Sequence, residues 1–193
     1  EKINLFVDIC AAPGVYSKII MDRTNSIGIG ISLPLEKGGI EFDNLGEKYK
    51  VFYKDILDKN YKVIVPKKID LGLASCVSYI NDKNKSSLLN LKLIIASLGL
   101  ILDVLKENGN LIINLTIKNI YFAFNIINIF SKYFKNYKLW KSEKIWETKN
   151  TFYFFFYEFK NKIINNKLSN NNTEFNRKTD KISDRIFDLI IDL

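Results

Sequence analysis

The sequence contains no histidine. Chemistry built on an imidazole is therefore excluded, both as the usual general base near neutral pH and as the commonest zinc ligand. Cysteine is scarce. Cys10 and Cys76 are the only two, each in an apolar, strand-like context. Two such residues do not make a disulfide framework, and the expectation is a pair of reduced core thiols in an intracellular protein, with cytoplasm and nucleus both open. No apolar run reaches the ~18 residues of a membrane span, and no signal-peptide pattern opens the chain. Internal repeats are absent. The first residue is Glu1 rather than Met, so the sequence is expected to be a piece of a longer chain with something upstream.

What is present suffices for one folded domain. The chain has 193 residues, 47% of them hydrophobic, enough to bury a sizeable core. Lys and Arg number 29 against 21 acids, a net charge of +8. That balance suits a polyanion such as RNA. Lys, Asn and Ile are all abundant, as AT-rich coding also produces, so charge alone does not decide.

The most informative stretch is Phe6-Val-Asp-Ile-Cys-Ala-Ala-Pro-Gly-Val-Tyr-Ser17. Leu5 to Ile9 are an apolar strand. Ala11, Ala12 and Gly14 are small enough for a ligand to lie against the backbone, and Pro13 presets a helix start. Tyr16, Ile19, Ile20 and Met21 continue at helical spacing. Strand, small-residue turn and helix N-terminus form a ligand cradle in many α/β proteins. An ordinary strand-to-helix junction has the same composition, and both remain open on these residues alone. Asp8 places a carboxylate at the strand's end, able to accept an ammonium or N–H from a ligand.

Downstream, the elements alternate. Ser26 to Leu33 is a buried-type strand in which Ser32 stands where nucleotide-binding folds place an acid for the ribose. Pro34 to Gly39 is a turn. Val51 to Ile56 forms a third strand ending in Asp55, and Lys67 to Cys76 a fourth. From Ser86 to Leu105, apolar residues recur with a 3.6-residue period, predicting a helix laid on a sheet. Gly109 suits its left-handed cap. Asn110 to Thr116 is a fifth strand, Tyr121 to Phe134 another apolar helix, and Thr151 to Tyr157 a strongly β-forming run. The cadence is that of a doubly wound sheet. Lys132, Lys135, Lys138, Lys141 and Lys144 are interleaved with Tyr133, Tyr137, Trp140 and Trp146. That mixture suits RNA, with Lys for phosphates and rings for bases; a solvated edge whose rings face the core is the alternative. Residues 161–180 are an Asn- and Lys-rich linker. Residues 181–193 carry Ile182, Ile186, Leu189, Ile190 and Leu193 at helical spacing, a short amphipathic helix that could dock on its own domain, bind another domain or subunit, or begin a further domain.

The segment Asp8-Ile-Cys-Ala-Ala-Pro-Gly-Val-Tyr-Ser17 closely resembles the S-adenosylmethionine loop of the FtsJ-like RNA 2′-O-methyltransferases, in which Ala-Pro-Gly-Gly is followed by an aromatic residue and Ser. Val15 replaces the second Gly. Gly30-Ile-Ser-Leu33, Lys54-Asp-Ile56, Asp70-Leu-Gly-Leu-Ala-Ser75 and Asn108-Gly-Asn-Leu-Ile-Ile113 follow in the order of that family, so the resemblance spans about Phe6 to Phe159. It implies a Rossmann-like class I α/β fold, a seven-stranded, mostly parallel sheet with helices on both faces, over a domain of residues 1–160. It implies S-adenosyl-L-methionine as cofactor, lined by Asp8, Ala12, Pro13, Gly14, Tyr16, Ser32, Asp55 and Ser75, with Asp55 accepting from the adenine amino group. It also implies RNA, capped mRNA or rRNA, as substrate.

The family's Lys-Asp-Lys-Glu tetrad lowers the pKa of a Lys that orients the ribose hydroxyl and takes its proton. By resemblance its Asp falls on Ser75, its second Lys on Asn114 and its Glu near Thr151, with Tyr153 matching the family's Tyr; the first Lys lies upstream of Glu1. All three visible positions are neutral. Lys118 lies four strand residues, ~13 Å, beyond Asn114, too far to substitute without a bulge. Three readings follow: a domain that keeps fold and cofactor pocket with weakened or lost catalysis, an active cap methyltransferase with a rearranged site, or a non-catalytic α/β binding module.

Overall fold

The alternating apolar segments assemble into one seven-stranded sheet. In the computed structural model the described residues are 2–58, 65–66, 68–76, 83–116, 120–141 and 151–160. The strands are β1 (Leu5–Ile9), β2 (Ile27–Ser32), β3 (Tyr49–Tyr53), β4 (Ile69–Ala74), β5 (Leu105–Thr116), β6 (Phe134–Trp140) and β7 (Thr151–Phe159). The helices are α1 (Val15–Thr24), α2 (Lys83–Val104) and α3 (Ile120–Phe130). Strand order is β3-β2-β1-β4-β5-β7-β6. The first five strands run parallel, and only β7 runs antiparallel to its neighbours. The expected mostly parallel Rossmann-like sheet is therefore present. The linker and terminal helix expected over 161–193, together with Lys118, Lys144 and Trp146, lie outside the described residues.

One face of the sheet is covered by α2 and α3. Ile94, Ile95, Leu98 and Ile101 of α2, and Ala123, Ile126, Ile129 and Phe130 of α3, are buried against Val7, Ile9, Ile29, Ile31, Leu111, Ile113 and Leu115. Phe154 and Phe156 complete that layer, with the Phe156 ring 5.5 Å from Phe130 and 5.4 Å from Phe134. Each such ring stabilises the fold by about 1.5–3 kcal/mol when fully buried. The opposite face carries α1, whose Ile20 and Met21 pack on Phe6, Leu71 and Leu73. Asp70 fastens this end of the sheet. Its Oδ2 accepts the N–H groups of Asn4 and Leu5, both at 2.8 Å, and Oδ1 pairs with Lys106. Partial burial pushes its pKa up, but Lys106 and the two amides outweigh that and hold it below the usual range.

Four expectations are corrected. Cys10 and Cys76 are joined as a disulfide, with Cα atoms 5.0 Å apart. They follow β1 and β4, and because these neighbouring parallel strands end in step at Ile9 and Ala74, both sulfurs arrive at the same edge. The left-handed residue after α2 is Asn108, at φ 61°, rather than Gly109, and β5 begins directly where the helix stops. The last helix ends at Phe130, and the basic–aromatic run that follows is a strand, β6. Asp55 lies in the turn past β3, which ends at Tyr53.

Gly28 and Gly30 leave one side of β2 without side chains, and Tyr49 fills the space. A Cβ on Gly30 would overlap the Tyr49 hydroxyl and come within 2.8 Å of Phe42. Gly30→Val is therefore expected to cost about 1–3 kcal/mol or more, read as a lowered urea midpoint at unchanged m-value.

Candidate functional site

The carboxyl ends of β4, β1, β2 and β3 form a continuous edge, the place where open α/β sheets bind ligands. At its centre β1 gives way to the turn Cys10–Gly14. The N–H groups of Cys10 and Ala11 both donate to the Ile31 carbonyl, at 2.7 and 3.2 Å, tying the turn to the end of β2. The Ala12–Pro13 bond is cis. Gly14 caps α1 at φ 106°, a conformation open to glycine, and its carbonyl accepts the Lys18 N–H.

The loop after β2 folds back over this turn. Asp43 N–H donates to the Pro13 carbonyl at 2.9 Å, and Phe42 N–H to the Tyr53 hydroxyl at 3.2 Å. Leu45 stands 2.8 Å from where a Gly14 Cβ would sit, with Phe42 beside it. That side of Gly14 thus holds the chain's own Leu45 and Phe42. Ala12 is half-buried and Pro13 exposed at the outer side of the turn.

Asp8 lies beneath the turn with no exposed surface. Ser17 Oγ donates to its Oδ2 at 2.8 Å. The Tyr49 hydroxyl is 2.8 Å from the same Oγ, and since the Ser17 proton is committed to Asp8, Tyr49 is the donor there. Asp8 Oδ1 is buried without a hydrogen-bond partner. Burial pushes the Asp8 pKa up to about 7, with the Ser17 bond acting weakly in the other direction. Burial, and next the charge of Asp8, also raise the Tyr49 phenol. A buried carboxylate with one vacant acceptor is a receiver for a positively charged or N–H donor.

Around the edge, Ser32 ends β2 and is nearly buried, its carbonyl accepting the Lys54 N–H. Asp55 follows β3, accepting the Leu57 N–H at 3.0 Å and pairing with Lys37 at 3.4 Å. Ser75 lies just past β4, its N–H 3.4 Å from the Ile9 carbonyl. Ala74 pairs with Ile113, so the next step of the register brings Ser75 beside Asn114. Asn114 in turn pairs with Tyr153 of β7, two residues from Thr151. Ser75 just past β4, Asn114 on β5 and Thr151 on β7 therefore lie along one edge of three neighbouring strands. Tyr16 reaches across to them. Its hydroxyl is 2.6 Å from that of Tyr153, with the rings edge to face at 6.1 Å. Burial, then the Tyr153 contact, raise the Tyr16 pKa and keep it a neutral hydroxyl.

The other four lysines of that run are divided by the strand. Lys132 sits in the exposed turn after α3, and Lys141 just beyond β6. Lys135 pairs with Glu158 at 2.6 Å. Lys138 shares a groove with Trp140, Phe155 and Tyr157. Sequence reading missed Tyr49, Phe42, Leu45 and the Tyr16–Tyr153 pair. The two alternate glycines of β2 were the available signal for Tyr49: a strand lacking side chains on one face must borrow a large one from elsewhere. Among the described residues no group of His, Cys, Asp and Glu is arranged to hold a metal, and no helix is long and apolar enough to cross a membrane.

The profile of the family described as FtsJ-like methyltransferase matches residues 1–159. Among solved structures, a ribosomal RNA methyltransferase from Plasmodium falciparum aligns with a TM-score of 0.57 at 18% identity, over 82% of this chain and 88% of the other. An rRNA methylase from Streptococcus thermophilus aligns at 0.51 and 11% identity, over 83% and 89%. An O-methyltransferase family protein from Burkholderia thailandensis aligns at 0.53 and 12% identity, over 83% of this chain and 52% of the other. No curated protein matches the sequence.

Proposed function

Since the chain belongs to the FtsJ-like methyltransferases, we propose that it binds S-adenosyl-L-methionine at the Ala12–Gly14 corner and RNA alongside, as a ribose 2′-O-methyltransferase domain whose proton-handling positions have become neutral. The observation that carries this reading is the vacant, buried Asp8 Oδ1 under a strand-to-helix turn at the carboxyl edge of a parallel sheet. The donor set fits the cofactor. Asp8 would receive the ammonium of the amino-acid end, Ser32 a ribose hydroxyl and Asp55 the adenine amino group. The outer side of the Ala12–Gly14 backbone, away from Leu45 and Phe42, would line the space between together with Tyr16 and Ser75. When bound, the cofactor supplies a methyl group on a sulfonium, an electrophile that needs only a positioned nucleophile.

Positioning is what the chain's own groups can do. Ser75, Asn114, Thr151 and the Tyr153 hydroxyl can hold a ribose hydroxyl by hydrogen bonds, and none of them can take its proton near pH 7. Losing general-base assistance costs ~10²–10⁴-fold in rate, while proximity alone still accelerates the transfer. A weakened or inactive enzyme that retains both ligands is the outcome. rRNA fragments and capped RNA are the substrates to compare.

Calorimetric titration with S-adenosylhomocysteine tests the pocket independently of catalysis. The ammonium needs Asp8 ionised, and free Asp8 titrates near 7. Affinity should therefore be highest at pH 8 and weaken ~30-fold by pH 5.5, with proton release on binding across that interval. Absence of binding up to millimolar ligand, or an affinity that ignores pH, refutes the assignment.

A further inference from the structure

The geometry points to the outer face of β6 and β7 as a stacking shelf for unpaired bases of an RNA strand, centred on Trp140, Phe155 and Tyr157 with Lys138 at its side. This rests on the RNA reading above and gives it a place on the molecule. The four residues line an open groove of about 230 Å³. Trp140 is 45% exposed and Tyr157 36%, large rings for a sheet surface to leave in water. Side chains alternate along a strand, so Lys138 and Trp140 of β6 stand on the same face as Tyr153, Phe155 and Tyr157 of β7. The Phe155 and Tyr157 rings lie 6.4 Å apart with planes within 12° of parallel. Flat bases stack on such planes whatever their sequence, and a lysine beside them meets the phosphate.

Continuity with the candidate site identifies the occupant. Trp140 packs on Tyr153 at 5.7 Å, and Tyr153 touches Tyr16, which belongs to the helix opening at Gly14. A row of rings thus runs from the shelf to the corner. A strand whose bases rest on the shelf would carry a neighbouring ribose toward Asn114 and Ser75. Lys138, exposed within the groove itself, is the charge complementary to a phosphodiester backbone.

Fluorescence anisotropy of a labelled single-stranded 12-nucleotide oligouridine on the full chain tests this. Trp140→Ala should weaken binding about tenfold or more at fixed salt, with the slope of log affinity against log salt unchanged. Trp140→Phe should recover most of the loss, which separates stacking from misfolding. Lys138→Ala should instead lower the salt slope by about one. Salt-dependent binding of the oligonucleotide that is indifferent to Trp140→Ala and Tyr157→Ala overturns the shelf and leaves the RNA reading intact. Absence of binding at low salt overturns both. A Trp140→Ala variant that changes only the sedimentation of the free protein would assign the face to a second copy, also against the proposal.

Discussion

Ser75→Asp combined with Asn114→Lys is expected to raise single-turnover methylation of a short RNA by ~10²-fold or more over the parent chain, the largest change any two substitutions here should produce. The reason is positional. Ser75, just past β4, stands beside Asn114 of β5, and Asn114 pairs with Tyr153, whose hydroxyl meets Tyr16. A lysine introduced at 114 would enter a half-buried setting that lowers its pKa, while an aspartate at 75 would orient its ammonium as an ion pair and offset part of that lowering. Either change alone leaves an unpaired charge, so the single variants should gain little and the effects should be strongly non-additive. Mass-spectrometric detection of the methylated nucleoside, with S-adenosylhomocysteine affinity as the control, reads the outcome. An unchanged rate in a double variant that binds the cofactor product normally would show that the deficit lies elsewhere. A parent rate equal to that of an intact family member would remove the deficit altogether.

The second large effect concerns stability and pH. Asp8 titrates near its ordinary 3.8 when unfolded and near 7 when folded. Its folded-state pKa is raised, so its contribution is fully present below pH 3.8 and is lost as pH climbs through about 7. Three units at 1.36 kcal/mol each put that loss on the order of 4 kcal/mol. Asp8→Asn cannot ionise. Urea unfolding at pH 5, 6, 7 and 8 should therefore show the wild type losing stability across the series relative to Asp8→Asn, with the curves parallel above about pH 7.5. Parallel curves throughout would mean that Asp8 ionises as freely in the folded chain as in water. On the proposed reading the variant should also lose the pH-dependent part of S-adenosylhomocysteine affinity, because the charge that weakens the empty protein would be the one that holds the ligand.

The parts of this fold that the sequence announces are those encoded locally. The apolar runs of β1, β2, β4 and β5 and the periodic stripes of α2 and α3 were legible because burial on a sheet leaves a repeat in the chain. The Asp8–Gly14 turn was legible as a turn because small residues and Pro13 stand between an apolar strand and a run at helical spacing. What escaped was set by partners far along the chain. β6 reads as a basic, aromatic surface run, and only its pairing with β7 makes it a strand. Tyr49 joins Asp8 and Ser17 across the sheet, and Leu45 reaches Gly14 through a loop without periodicity. The cysteine pair shows the same limit: two isolated thiols in sequence become neighbours because β1 and β4 are adjacent and in step.

β6 is also the last strand of its sheet, and no strand among the described residues pairs with its outer side. A terminal strand of this kind offers a ladder of unpaired amides to any extended chain, which is how soluble proteins begin to form aggregates. Lys132 in the exposed turn before β6 and the exposed Lys138 on it oppose that by placing repelling charge along the rim, whereas Lys135 is paired with Glu158. The same residues that suit a polyanion thus keep molecules of this protein apart, and erasing both at once would trade solubility for adhesion before any change in RNA affinity could be read.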